Sequence, residues 1–325
     1  MSPYPDTRLR RLRQKPHLRE LLSECVLDPT KLVQPLFVLP GKGREEADPS
    51  LPGIIKVSAD RVPAVAERLL EAGLKAFLLF GVPEHKSPQG ESALSKANPV
   101  FSALEETARK FPEAVLVTDI CLCSFTESGH CGVDIDGKVE NDATLEILAK
   151  YAVFAAESGS DMVAPSAMMD GMVRRIRSAL DERGLTGTLI MSYSAKFASS
   201  LYGPFRDVAS STPREGDRRG YQLPPSNQRE ALRELEEDAR EGADILMIKP
   251  ALPYLDLLAE ARRRHLLPLA AYNVSGEYAM VKAASQKGYL DERMAVEEIL
   301  LSIIRAGADL VITYHALEVA KWKTR

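Results

Sequence analysis

The chain has 325 residues, with 42 lysines and arginines against 46 aspartates and glutamates, a formal charge of −4 with histidine neutral. Hydrophobic residues make up 45% and charged residues 27%, ordinary values for a globular protein in water. There is no basic excess for binding nucleic acid and no apolar run near the ~20 residues of a membrane span. The arginine-rich start lacks the apolar centre of a secretory signal, so a soluble, cytoplasmic protein is expected.

Residues 1–31 precede the first apolar run, carry Arg8, Arg10, Arg11 and Arg13, and continue as an amphipathic stretch to Val26. They read as a solvated basic tail or as an arm that packs on a neighbouring subunit. Eight short apolar runs follow, at 32–40, 75–83, 114–122, 161–167, 187–195, 243–251, 268–275 and 310–316. Most are continuous rather than alternating, as expected for parallel strands buried on both faces. Helical spacing between them is clearest over 143–158, 228–241 and 291–306. Asn141 and Asp142 stand where a cap would open the first of these helices; Gly159, Gly242 and Gly307 stand where the three would end. Eight strand–helix units predict an α/β chain closed into a (β/α)8 barrel rather than an open doubly wound sheet. Neither a Gly-x-Gly-x-x-Gly nor a Walker-type loop supports the open sheet. The expected organisation is an arm over 1–31 and a catalytic barrel over 32–325, with a lid loop at about 196–225.

The lid holds Gly203, Pro204, Pro213, Gly216 and Gly220, which break any period, and Arg206, Arg214, Arg218 and Arg219, which suit an anionic substrate. It follows the carboxyl end of a strand, the end where barrel active sites form. Three of the four cysteines fall together as Cys121, Cys123 and Cys131, beside His130. A lone cysteine would read as buried packing, but three within eleven residues beside Gly129 and Gly132 point to a metal site with an open coordination position. Cys25 reads as a plain core or interface cysteine. Lys249 interrupts Ile245-Leu246-Met247-Ile248, and Lys196 ends Met191-Ser-Tyr-Ser-Ala195. An ammonium at the end of a buried strand is partly desolvated, which lowers its pKa and makes a neutral amine able to attack a ketone. One such lysine more often pairs with a carboxylate; two beside an arginine-rich lid and a cysteine cluster reverse that preference. Asp119, Ser166, Asp170, Ser275 and Tyr314 are further polar groups at strand ends, whereas Glu234 reads as a solvated charge among Glu230, Glu236 and Glu237.

Taken together, Val117-Thr-Asp-Ile-Cys-Leu-Cys, Gly129-His-Cys-Gly, Tyr193-Ser-Ala-Lys-Phe-Ala, Tyr202-Gly-Pro-Phe-Arg-Asp, Gly216-Asp-Arg-Arg, Leu246-Met-Ile-Lys-Pro and Val274-Ser-Gly-Glu-Tyr-Ala-Met resemble the porphobilinogen synthases, also called 5-aminolevulinate dehydratases, from about Leu32 to Tyr314. The resemblance implies a (β/α)8 barrel with an N-terminal arm, a homo-octamer, and condensation of two 5-aminolevulinate molecules to porphobilinogen with loss of two waters. It implies that Lys249 holds the first substrate as a Schiff base and Lys196 the second. Arg206, Arg218 and Gln222 would clamp the second carboxylate, and Ser275 and Tyr314 would bind the first. Cys121, Cys123 and Cys131 would ligate a catalytic Zn2+, Asp119 would assist proton transfer, and Glu234 would ligate an allosteric Mg2+. One departure stands out. The family typically reads Pro-Ser-Asp-Met-Met-Asp-Gly-Arg where this chain has Pro165-Ser-Ala-Met-Met-Asp-Gly-Met172, so opposite charges have gone together at Ala167 and Met172. A joint loss of paired charges can be nearly neutral. If the aspartate tunes an amine instead, a specialised paralogue on a related amino ketone follows. Other rivals are a Schiff-base lyase or aldolase on the same barrel, and a metal-binding assembly protein without catalysis.

Overall fold

The computed structural model describes residues 7–323, so the first six residues of the expected arm lie outside the described residues. Eight parallel strands occupy the eight apolar runs: β1 Leu32–Leu39, β2 Ala76–Gly81, β3 Val115–Ile120, β4 Met162–Pro165, β5 Leu189–Lys196, β6 Ile245–Lys249, β7 Leu269–Asn273 and β8 Leu310–Thr313. Each pairs with the next, and β8 returns to pair with β1 through Leu32 with Val311 and Val33 with Ile312. That last pairing closes the barrel and leaves it without an exposed edge. An antiparallel ribbon, Glu45–Ala47 with Ile55–Ser58, extends from the end of β1.

Helices alternate with the strands: α1 Val62–Glu71, α2 Pro99–Lys110, α3 Asn141–Glu157, α4 Met172–Glu182, α5 Gln228–Glu241, α6 Leu255–Arg264, α7 Ser275–Gln286, α8 Glu292–Ala306 and α9 Ala316–Lys323. The apolar interior splits into two clusters. One lies between strands and helices; the other fills the barrel with Val33, Leu78, Val117, Ala164, Met191, Met247, Ala270 and Ile312, one from each strand in turn. Burial on both faces explains why the strand sequences are continuously apolar.

The helix ends depart from expectation at one cap. Asn141 and Asp142 fall inside the first turn of α3, whose cap position is Glu140 without a side-chain bond. Asn141 is diverted: its amide donates to the Asp170 carbonyl at 3.0 Å and its carbonyl accepts from the Asp170 N–H at 2.8 Å, tying α3 to the turn after β4. Gly242 and Gly307 close α5 and α8 with positive φ, and Gly159 does so one residue beyond Ser158, as read. The segment before β1 holds a 3-10 turn, Leu9–Arg13, and a short helix, Pro16–Leu21, neither with a buried residue.

Candidate active site

Strand parity places Lys249. On β6 the side chains of Ile245 and Met247 enter the barrel, so Lys249, two further on, does the same at the carboxyl end. Parity alone would deny this to Lys196. On β5, Met191 and Tyr193 point inward while Ala195 joins the outer cluster, and Lys196 is three residues from Tyr193. A bulge resolves the conflict. The register runs Ser192 with Leu246, then Ala195 with Ile248, so β5 carries one extra residue. The extra residue reverses the parity, and Lys196 becomes the direct cross-strand neighbour of Lys249.

Four aromatic rings surround the Lys249 ammonium, with centroids at 4.1 Å (Tyr272), 4.9 Å (Tyr193), 5.2 Å (Phe205) and 5.4 Å (Tyr202). Burial, then the like charge of Lys196, bring the Lys249 pKa down to about 7, so a large fraction of a nucleophilic amine is neutral near neutral pH. Lys196 donates from Nζ to the Ser166 carbonyl at 2.5 Å. Asp119, on β3, is pushed above the usual carboxylate range by burial, against the pull of both lysines. Its Oδ1 has no partner, although buried.

The three cysteines meet as expected for a metal site. Their sulfur atoms lie within 4.8 Å of one another, all are buried, and none forms a disulfide. Hydrogen bonds from Cys121 and Cys123 hold the Cys131 thiol well below its ordinary value, and Arg218 acts in the same sense. A buried set of three soft donors, one biased toward thiolate, can hold a metal ion. Glu292, His315 and Glu318 form a second such group among the described residues. There Lys282 already supplies the cation, donating to Glu292 at 2.5 Å and to Glu318.

The loop after β5 folds over the strand ends and contains a short helix, Gly203–Val208, where its sequence shows no period. It brings Arg206 and Arg218 together. Burial, then the neighbouring Arg218 charge, pull the Arg206 guanidinium down. The Nε groups of both arginines, and both amide atoms of Gln222, are buried without partners. Unsatisfied donors beside two like charges favour an anionic ligand. Arg218 also donates to the carbonyls of Gly129 at 3.0 Å and Ser211 at 2.5 Å. Further bonds join this loop to the turn carrying Cys131: the Arg214 N–H to Ser128 at 2.9 Å, the Cys131 N–H to the Tyr221 hydroxyl at 3.3 Å, and the His130 ring to Tyr221 at 3.0 Å and Glu215 at 3.1 Å.

Gly129 makes this docking possible, with φ at +75° and an added Cβ only 2.4 Å from the Thr212 carbonyl oxygen. Left-handed backbone alone costs a non-glycine residue about 1–2 kcal/mol. Gly129→Ala is therefore expected to raise proteolytic cleavage within residues 209–221 by about tenfold. Cleavage at the parent rate would show that the loop does not depend on this approach.

Not every expected residue lines one space. Asp119, Cys123, Lys196, Arg218 and Lys249 border a cavity of ≈ 10 Å³, together with Ser166, Tyr202 and Phe205. That volume admits about one water, so a larger ligand reaches the lysines only if the loop moves. Ser275 is at the start of α7, its hydroxyl accepting from the Phe205 N–H at 3.0 Å and facing the Leu201 carbonyl at 3.3 Å. Tyr314 meets the Tyr272 hydroxyl at 3.1 Å. Gln222 and Glu234 border a separate cavity of ≈ 590 Å³. There Glu234 is half-buried rather than solvated, because α5 turns it toward Asp238; burial and then Asp238 push it up to about 7. Ala167 and Met172 are both buried in the outer apolar cluster. The aromatic box was not foreseen from sequence: Tyr193, Tyr202 and Tyr272 look like ordinary strand and loop residues until Lys249 lies between them. The inward parity of Tyr193 was the one available signal.

Fold and constellation together define a (β/α)8-barrel enzyme with lysine amines gathered at the carboxyl end of its strands. Residues 6–322 match the family model described as delta-aminolevulinic acid dehydratase. The chain is 51% identical to the delta-aminolevulinic acid dehydratase of Archaeoglobus fulgidus over 99% of both chains, and 48% identical to that of Bacillus subtilis over 97% of both. It is also similar to a crystal structure of the Toxoplasma gondii delta-aminolevulinic acid dehydratase (porphobilinogen synthase) in complex with the reaction product porphobilinogen. That match has a TM-score of 0.95 and 45% identity, covering 98% of this chain and 92% of the other. The chain belongs to the delta-aminolevulinic acid dehydratase family.

Proposed function

We propose that this protein condenses two molecules of 5-aminolevulinate to porphobilinogen with release of two waters, serving tetrapyrrole synthesis. The observation that carries the reading is the aromatic-boxed Lys249, lowered to about 7 and paired across the strands with Lys196, in a chain of this family. In this reading the neutral Lys249 amine attacks the ketone of the first substrate, and loss of water leaves an iminium, a better electrophile than the ketone. Lys196 takes the ketone of the second in the same way. Arg206 and Arg218, with Gln222, clamp the second carboxylate; their unpartnered buried atoms support this. Ser275 and Tyr314 bind the first carboxylate. Asp119, raised by burial, holds and passes a proton at Oδ1 during carbon–carbon bond formation and ring closure. The segment at about 196–225 acts as the lid, opening for substrate and then excluding water.

Cys121, Cys123 and Cys131 would hold Zn2+, which when bound supplies Lewis acidity beside the second substrate. Glu234 would hold an allosteric Mg2+, a hard ion suited to carboxylate oxygens. Glu234 at about 7 and Asp238 at about 6 are both raised by burial, with Asp170 and Glu230 adding to the repulsion on Glu234. Raised carboxylates mean that the folded state binds more protons than the unfolded chain, so stability falls as pH rises through 4–7. A divalent cation offsets that loss. Mg2+ is expected to raise the melting temperature by a few degrees at pH 8 and hardly at pH 5; equal shifts at both would remove Glu234 from the site. The exposed Leu9, Leu12, Leu21 and Val26 before β1 support an N-terminal arm within a homo-octamer, which light scattering would test.

The deciding experiment is porphobilinogen formation from 5-aminolevulinate, before and after chelation and with zinc restored. Product lost on chelation and recovered with zinc supports both the reaction and the cysteine site. Product that survives verified zinc removal keeps the reaction and overturns its zinc dependence. No product from folded, zinc-loaded protein overturns the reaction and turns attention to Ala167 and Met172.

A further inference from the structure

Glu277 lies in the first turn of α7 and does not border the lysine cavity, yet the residue is only 1% exposed. Oε1 accepts from the backbone N–H of Leu252 at 2.6 Å, three residues beyond Lys249. Oε2 accepts from the backbone N–H of Val274 at 2.5 Å and from the Asn273 side-chain amide at 3.2 Å. Asn273 in turn accepts from the Thr313 hydroxyl at 2.9 Å. One carboxylate thus joins the carboxyl ends of three consecutive strands, β6, β7 and β8. Those ends carry Lys249, Ser275 and Tyr314. The backbone of Lys249 is held from the other side too, its carbonyl accepting from the Phe197 N–H at 3.0 Å and the Tyr202 hydroxyl at 3.1 Å.

The bond to Val274 is the capping-box arm of α7, but capping a helix does not by itself require a buried carboxylate. A serine or threonine side chain caps a helix at its N-cap, on the surface, at far lower desolvation cost. Burial pushes Glu277 up to about 7 against the pull of its three hydrogen bonds. That unfavourable placement is maintained where only a two-oxygen acceptor can bridge two separate backbone donors. A glutamine cannot replace it: with one carbonyl oxygen, either the Leu252 or the Val274 N–H must face an NH2 group.

We infer that Glu277 is a positioning residue for the first-substrate subsite, setting the loop after Lys249 against the strand ends that carry Ser275 and Tyr314. The inference rests on the reading of Lys249 as the first-substrate amine. A shift of about 1 Å in a reacting group costs up to ~100-fold in rate, so losing one arm of the bridge acts mainly on Lys249 and little on Lys196, whose strand it does not touch.

The test compares the parent with Glu277→Gln and Thr313→Val, each nearly isosteric. Each is treated with 5-aminolevulinate and borohydride, and peptide mass analysis gives the rate of adduct formation at each lysine. Reductive methylation by formaldehyde gives the reactivity of Lys249 without substrate. In Glu277→Gln the Lys249 adduct and methylation rates should change at least about tenfold, with the Lys196 adduct rate within twofold of the parent. Thr313→Val should shift Lys249 in the same direction by less. A purely structural role predicts a lower melting temperature with parent reactivity at both lysines in the folded fraction, and that result overturns the inference. If Glu277→Gln does not fold, Thr313→Val decides alone. Absence of a Lys249 adduct in the parent sinks the Schiff-base reading instead, and the methylation rates still judge Glu277.

Discussion

Lys249→Ala is expected to lower porphobilinogen formation by on the order of 10⁴-fold or more, the usual consequence of removing a covalent nucleophile, while the barrel stays folded. The barrel does not need this amine: its ammonium is buried at a cost, and the surrounding rings have aromatic contacts of their own, as Tyr193 has with Tyr272 at 6.3 Å and Phe205 with Phe80 at 5.1 Å. Borohydride with 5-aminolevulinate should then leave no adduct at position 249. Retained activity within tenfold of the parent would remove Lys249 as the nucleophile.

The same lysine makes two pH predictions. Its neutral form is the reactive one, so adduct formation should rise through about pH 7 and level off above it, as the lowered value requires. For stability the sign is also set. Between about 7 and the ordinary 10.5 the unfolded chain holds a proton that the folded chain has lost, so this residue makes stability rise with pH across that window. Denaturant titrations of parent and Lys249→Ala should differ in slope there and run parallel below pH 6. Parallel curves throughout would mean that the amine is not desolvated.

The second large effect belongs to the cysteines. Cys123→Ala removes one of three soft donors and should lower metal affinity by roughly 10²–10³-fold, with activity falling in step. The remaining cysteine, Cys25, is not part of the cluster and lies beside Leu301. Metal content of the dialysed protein, read by elemental analysis beside activity, checks it. Unchanged zinc would place the ion elsewhere. The Glu292, His315 and Glu318 group is a poor substitute, because Lys282 already bridges its carboxylates.

Much of this protein was legible in its sequence. Eight continuous apolar runs became eight parallel strands because both barrel faces are buried and no polar alternation was required. Lys249 could be placed by counting, since Ile245, Met247 and Lys249 share one side of an undistorted strand. The three cysteines declared themselves by number and spacing. The joint replacement at Ala167 and Met172 was also visible as a loss of charge, and both side chains are buried among apolar neighbours, where an unpaired charge would be costly.

Other features depended on contacts between distant segments. Counting along β5 would turn Lys196 outward; only its bulge against β6, a property of the strand pair, brings it beside Lys249. Asn141 had the chemistry of a helix cap but met the turn at Asp170 first. Glu234 sat among charges in sequence, yet packing set it in a cavity bordered by Met168, Asp170 and Tyr221 from distant segments. Glu277 was one acid within a motif until three strand ends converged on it. Local residue chemistry therefore determined the strands, the cysteine cluster and the placing of Lys249, because periodicity and spacing act over a few residues. Parity reversal, desolvation and the pairing of buried donors with acceptors were decided by tertiary structure, because each is set by groups tens of residues away.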